Sequence, residues 1–389
     1  MQRELFSEVH GLIRSYTNRH VEQWKASGRP VIGYLCQYVP REVILAAGAL
    51  PLRLRGAGSQ DSSLGDVYLS GRTCTYVRHV MSLSLDGCYE FLDGEVGLNT
   101  CDHVRRAADV FVKKTAIPFH GFLSVPRSPR EDLYGYYLEE VRTLVAGLES
   151  SLGISVDNDA LREAIRIMNE IRRRLTMINL MRLEDRPRLS GAESLAVHIA
   201  SQVVPPDVFI DLADRLINGL KDDPGLESPR GRLVLIGAEL DEPEFVEAIE
   251  SQGALVVADR LCFGARSVLD PINENSADPL DTVARAYFFH PSCARMIGDF
   301  PNRWAALKKT VADARADGVV FERLVFCDPW GAEVHNILQR VKKEHAFPVL
   351  VLSREYGIVP TGQVKTRVQA FVEKIEIARA QKRAAGDVP

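Results

Sequence analysis

Apolar runs in this sequence are short. Stretches such as Val349 to Leu352 fall far below the ~20 residues a membrane helix needs, so no membrane partner is expected. Basic residues are not in excess: the formal net charge is -4 with 26% charged residues, which provides no basic surface for nucleic acid. The chain opens Met1-Gln2-Arg3-Glu4 and lacks the apolar core of a secretory signal, which reads as a cytoplasmic protein. There is no G-x-x-x-x-G-K-[ST], hence no Walker-type ATP site. No G-x-G-x-x-G follows a strand pattern. After Gly237 come Ala238, Glu239 and Leu240, with no further glycine to let backbone approach a pyrophosphate. The absence of H-E-x-x-H and of paired C-x-x-C argues against structural zinc. No G-x-S-x-G elbow offers a serine nucleophile.

What is present is enough apolar residue, 46% of 389, for two or three domains with their own cores. Residues 2–27 predict an amphipathic lead helix through Leu5, Val9, Leu12 and Ile13, ended by Gly28-Arg29-Pro30. Strands are expected at Val31–Leu35 and Leu52–Leu54, around a helix that Pro40-Arg41-Glu42 opens and Gly48 closes. A Ser/Gly/Asp-rich loop (57–66), a helix over Thr75–Leu85, and strands at Val96–Leu98 and Pro118–Leu123 complete an α/β domain, 1–129. Residues 130–228 read as a helical middle domain. Asp157 to Asp159 supply N-cap chemistry, and Ser190 to Glu193 fit a capping box. From 229 to 389 the α/β pattern returns, with strands at Arg232–Gly237, Ala254–Ala258, Val319–Cys327 and Pro348–Leu352. The expected fold class is α/β: two Rossmann-like parallel-sheet domains around a helical middle domain, with the two α/β segments as candidate structural copies. The Lys/Arg-rich tail, 379–383, reads as a solvated helix end.

The cysteines are the remaining distinctive chemistry: Cys36, Cys74, Cys88, Cys101, Cys262, Cys293 and Cys327. They are odd in number and widely spaced, which does not suit disulfides in a reducing compartment. Each taken alone is most simply a small buried apolar side chain. Three have more context. Cys74 ends Gly71-Arg72-Thr73-Cys74 just before a helix. Cys101, in Asn99-Thr100-Cys101-Asp102, and Cys327, in Phe326-Cys327-Asp328-Pro329, follow strands. Ligands gather at the carboxyl ends of strands in open α/β sheets, and helix N-termini favour thiolates. Soft thiolates select iron–sulfur clusters, copper(I) or zinc. Three of them from distant segments suit a cluster with one iron left for another ligand. Cys36, at a strand end near Tyr38, is a reserve ligand. Cys88 sits in a loop, and Cys262 and Cys293 carry no partner signal.

The segment Gly33-Tyr34-Leu35-Cys36-Gln37-Tyr38-Val39-Pro40-Arg41-Glu42, followed by Ala46-Ala47-Gly48-Ala49-Leu50-Pro51, resembles the N-terminal signature of the benzoyl-CoA reductase and 2-hydroxyacyl-CoA dehydratase family. Further matches follow in order. They are Thr100-Cys101-Asp102, Gly253 to Asp259, the Asp317-Gly318-Val319-Val320 approach to Cys327, and Gly362 to Arg367 with Ala370-Phe371. Phe119-His120-Gly121-Phe122 and Phe326 to Glu333 look most like the smaller cluster-bearing subunit of the ATP-dependent reductases.

The resemblance implies an anaerobic enzyme of two related subunits, each with a [4Fe–4S] cluster held by three cysteines. By motif position these are Cys74, Cys101 and Cys327, with Cys36 an alternative to Cys74. It implies a coenzyme A thioester substrate and a separate ATP-hydrolysing activator, consistent with the missing ATP motif. In the reductase form, the aromatic ring of benzoyl-CoA becomes a cyclic diene. In the dehydratase form, a ketyl radical expels a proton and the hydroxyl as water. His103, beside Cys101, is a candidate proton donor and Arg78 a candidate phosphate contact, against packed or surface roles for both. Two other classes stay open: a non-catalytic electron-relay or scaffold subunit, and a nucleotide-sugar or dinucleotide enzyme whose cysteines only pack.

Overall fold

The computed structural model describes residues 2–290, 293–358 and 362–384. Strands β1 (Val31–Tyr34), β2 (Leu50–Arg53), β3 (Gly94–Leu98) and β4 (Phe119–Leu123) form a parallel sheet in the order β2-β1-β3-β4. Strands β5 (Gly231–Gly237), β6 (Ala254–Arg260), β7 (Gly318–Leu324) and β8 (Val349–Arg354) form a second parallel sheet in the order β6-β5-β7-β8. The two orders are the same when each sheet is counted from its own first strand. The α/β lobes are therefore topological copies, as the sequence suggests. The inner strands are buried along almost their whole length. Helices cover both faces of such a sheet, which explains the continuous apolar runs.

Helices Glu131–Leu152, Asn158–Leu183, Gly191–Ala200 and Pro206–Leu220 lie between the two sheets in the chain. Their starts follow the expected chemistry. Asp157 accepts a hydrogen bond from the Ala160 N–H at 2.8 Å, and Ser190 and Glu193 form a reciprocal capping box. No helix of the described residues is long and apolar enough to cross a membrane.

Several local expectations need correction. The lead helix is two helices, Gln2–Ile13 and Arg19–Ala26. Asn18 divides them because its side chain accepts from the His20 and Val21 N–H groups and starts the second helix. The loop expected at 57–66 turns helical from Ser63 to Tyr68, and a helix over Asp102–Lys114 follows Cys101. At the C-terminal end, Arg379 is not simply solvated. Its Nε bonds Asp317 Oδ1 at 2.7 Å and its Nη1 bonds the Arg230 carbonyl at 2.8 Å, tying the last helix to the second lobe.

Buried ion pairs join the parts. Arg55 reaches from the first lobe to Asp241 of the second at 2.6 Å, and also bonds the Ile13 and Asp241 carbonyls. Arg182 pairs with Asp259 at 2.8 Å, and Arg172 pairs with Glu42. Removing one partner of such a dry pair leaves the other charge buried and uncompensated.

Candidate functional site between the lobes

Each sheet reverses direction next to its first strand, and the carboxyl ends of the strands at that reversal are where α/β folds bind ligands. Cys36 and Glu239 occupy matching positions just past β1 and β5. Cys101 and Cys327 occupy matching positions just past β3 and β7. The duplicated topology thus places two of the candidate cysteines as counterparts on opposite lobes.

Cys74, Cys101 and Cys327 share a second property: each is the N-cap residue of a helix, over Thr75–Leu85, Asp102–Lys114 and Asp328–Glu344 respectively. The Cys101 Sγ accepts from the Val104 N–H at 3.4 Å. Before Cys327 the backbone turns sharply through Phe326, at φ 66°. His103 ties two of the segments together, since its Nδ1 accepts from the Cys74 N–H at 3.2 Å. Its Nε2 lies 3.9 Å from Asp328 Oδ2, beside Cys327. Burial lowers the pKa of His103, so it serves as a neutral acceptor here. Arg78, the candidate phosphate contact, instead bonds Asp66 at 2.8 Å.

Burial is the main influence on all three thiols, and it raises their pKa values, Cys101 to about 12. Neighbouring sulfurs raise them further: Cys101 acts on Cys74, Cys36 on Cys101, and Cys74 and Cys101 on Cys327. N–H groups of Val77, Val104 and Trp330, in the first turns of the three helices, act in the opposite direction. Each of the three thiols is therefore within electrostatic reach of at least one other cysteine, buried enough to be a thiol on its own and near donors that favour thiolate. A bound cationic centre reverses that balance and deprotonates its ligands.

Cys36 and Cys293 belong to the same neighbourhood. Cys293 is within electrostatic reach of Cys36 and Cys327, and its N–H bonds the Tyr38 hydroxyl at 3.3 Å. Cys262 donates to Glu239 Oε2 at 2.5 Å, and the same carboxylate oxygen accepts from Arg53 Nη2 at 3.2 Å. Sequence reasoning gives Cys262 and Cys293 no role. Their neighbours come from distant segments, so no local motif marks them. Glu239 has a usable signal in its position at the end of an apolar strand.

Among the described residues, no three His, Cys, Asp or Glu side chains converge tightly enough to hold a single metal ion. A four-iron cluster spreads its ligands over several irons, and hence farther apart than one ion does. Soft donors capping three helices, from both lobes, fit the cluster in chemistry. Cys101 also opens on a cleft of about 430 Å³, walled by His103, Arg127, Arg295, Asp328 and Asn336. Arg295 is consumed by the carbonyls of Thr100, Val125 and Pro126. It braces the wall and is not free for a ligand.

The family model for "2-hydroxyglutaryl-CoA dehydratase, D-component" matches residues 36–375. A benzoyl-CoA reductase subunit from Thauera aromatica is 28% identical over 317 residues, covering 79% of this chain and 81% of that protein. The beta subunit of lactoyl-CoA dehydratase from Anaerotignum propionicum is 26% identical over 360 residues, covering 91% and 94%. The beta subunit of (R)-2-hydroxyglutaryl-CoA dehydratase from Acidaminococcus fermentans is 23% identical over 364 residues, covering 91% and 94%. With the family model running from the end of β1 into the last helix, the chain belongs to the 2-hydroxyglutaryl-CoA dehydratase D-component family.

Proposed function

We propose that the chain is the cluster-bearing subunit of an enzyme acting on coenzyme A thioesters, holding a [4Fe–4S] cluster between its lobes through Cys74, Cys101 and Cys327. What supports this reading is that three helix-capping cysteines come from both lobes, with Cys101 and Cys327 at matching positions past β3 and β7 and both Cys74 and Cys101 within electrostatic reach of Cys327. Such a cluster, when bound, supplies single electrons at low potential. The chain's own residues do the rest. The lobes exclude water from the thiols, His103 fixes the Cys74 loop against the Cys101 helix, and the cleft beside Cys101 receives the acyl group.

In its finer form the proposal is a benzoyl-CoA reductase subunit, which delivers electrons to the aromatic ring. Its partners are a homologous cluster-bearing subunit and an ATP-hydrolysing activator. Exposed Ile297 and Phe326 beside the cleft suit cover by the related subunit. A second reading, a 2-hydroxyacyl-CoA dehydratase subunit, draws support from the likeness to the lactoyl-CoA and (R)-2-hydroxyglutaryl-CoA dehydratase beta subunits, which spans 91% of the chain.

Anaerobic purification with the co-expressed partner tests the proposal. The expected result is about four irons and four sulfides per chain, and an electron paramagnetic resonance signal that changes on adding the correct thioester. A change with benzoyl-CoA and none with lactoyl-CoA supports the reductase form, and the opposite pattern supports the dehydratase form. Protein without iron and sulfide after anaerobic reconstitution refutes both.

Arg127 gives a separate prediction. Its guanidinium is exposed on the cleft wall, and no described residue pairs with it. It is placed to meet a phosphate of coenzyme A. Arg127→Ala is expected to raise KM for the thioester roughly fivefold, the equivalent of an exposed charge contact of about 1 kcal/mol, and to leave kcat unchanged. Steady-state kinetics at low and high salt checks this, since the difference shrinks as salt rises.

A further inference from the structure

A second, smaller cavity lies deeper at the seam. Its volume is about 20 Å³, room for a small head group and no more. Tyr34, Gln37, Arg41, Arg53, Arg266 and His290 line it, and no carboxylate does. Arg266 is 5% exposed. Its Nε, Nη1 and Nη2 are all buried without a hydrogen-bond partner among the described residues. The Tyr34 hydroxyl, Arg53 Nε and His290 Nε2 are buried and unmet as well. Trp330 lies under the Arg266 guanidinium at 4.7 Å, which softens an isolated charge but supplies no acceptor. The carboxylates around Arg266 are engaged elsewhere: Glu239 with Arg53 and Cys262, Glu333 with Arg303, and Asp259 with Arg182. Burial pushes His290 down to about 3, so it is neutral, and its ring N–H bonds the Arg266 backbone carbonyl.

A buried guanidinium is normally fully paired, because stripping its water without a counterion is strongly unfavourable. We infer that this cavity is an anion site, in which Arg266, helped by Tyr34 and Arg53, grips a carboxylate-sized oxyanion. The anion is either free in solution or the far end of an acyl group. The site itself stands apart from the proposed function, and only the acyl source rests on that reading.

The test uses the full-length chain and acetate, titrated at constant ionic strength, with thermal midpoint and tryptophan emission as readouts. Wild type is expected to show a saturable rise of about 2–5 °C at a large excess of acetate, with a change in Trp330 emission that Trp330→Phe abolishes. Arg266→Met is expected to lose the acetate response. It should also melt higher than wild type without acetate, since it removes an unpaired buried charge. Tyr34→Phe keeps the fold and is expected to weaken acetate about fivefold by removing one hydrogen bond. Competition separates the sources. If the substrate supplies the anion, a thioester whose acyl chain ends in a carboxylate displaces acetate and butyryl-CoA does not. If neither displaces it, the anion is free. No saturable response in wild type, or an unchanged response in both Arg266→Met and Tyr34→Phe, overturns the inference. Iron is not needed for the readout, so its failure in an iron-loaded chain leaves the proposed function standing.

Discussion

Cys327→Ala is expected to strip iron and sulfide from the anaerobically purified protein by at least about tenfold. Loss of a supporting contact alone costs that much at a metal site, and this change deletes a proposed ligand. The helix it caps, Asp328–Glu344, retains other N-terminal contacts: the Gly331 N–H still meets the carbonyl of residue 327 at 2.8 Å, a backbone bond that alanine preserves. Only one small side-chain atom is removed, from a residue that is half-buried as a whole, so the thermal midpoint of the cluster-free protein should move by no more than a few degrees. Cys101→Ala is expected to behave alike, because it holds the matching position on the other lobe. Cys74 and Cys36 are the informative contrast, since both lie near Cys101. Under the proposed ligand set, Cys74→Ala loses the cluster and Cys36→Ala keeps it. The reverse pattern would show that the strand-end cysteine, not the helix cap, completes the set. Retention of full iron and sulfide by Cys327→Ala would falsify the interlobe cluster outright.

The strands are legible in the sequence because each is a short apolar run bounded by turn residues, and a doubly covered parallel sheet leaves that mark. The capping box at Ser190 is legible for a local reason, since its two partners stand within one turn. The break at Asn18 escapes a periodicity argument because apolar spacing continues through Val21 and Trp24, while the signal is one polar side chain. The helix after Cys101 escapes it for a related reason: it has only Val104, Ala107, Ala108 and Phe111 on its buried face, a thin stripe in a charged segment. At the site, Cys74, Cys101 and Cys327 can be singled out because helix starts and strand ends are sequence-local features. Arg266 and Cys293 cannot. Nothing beside Arg266 in the sequence announces that Tyr34 and His290 will enclose it, and a residue defined by missing partners has no motif.

That distinction between local and long-range information is sharpest at Arg172, where the second large effect is expected. Arg172, in the middle of the Asn158–Leu183 helix, is 1% exposed. It grips Glu42, itself fully buried at the start of the Arg41–Ala46 helix that follows the Cys36 loop. Its Nη1 bonds Asn169 Oδ1 at 2.9 Å, and Asn169 in turn meets both the N–H and the carbonyl of Ile272. One guanidinium thus links the first lobe, the helices between the sheets, and a loop after the second lobe's β6. Arg172→Met leaves the Glu42 carboxylate buried with only Arg41 nearby, and is expected to cost about 3–5 kcal/mol at pH 7.

The sign of the pH dependence checks the cause. In the wild type, burial opposes ionisation of Glu42, but the nearby Arg172 and Arg41 outweigh it and hold the carboxyl below its ordinary value. A depressed carboxylate stabilises the fold above its unfolded pKa of about 4.3, and that stability is lost as pH falls through the folded value. Without Arg172, burial dominates and the Glu42 pKa rises above the unfolded one. The variant is then penalised at neutral pH and relieved as acid protonates Glu42, so the gap between the two proteins narrows from pH 7 towards about pH 5. Urea unfolding at both pH values measures it, and Glu42→Gln combined with Arg172→Met should recover much of the loss. A cost that stays the same at both pH values, or that the double variant does not recover, would mean that lost packing and not an orphaned charge explains the effect.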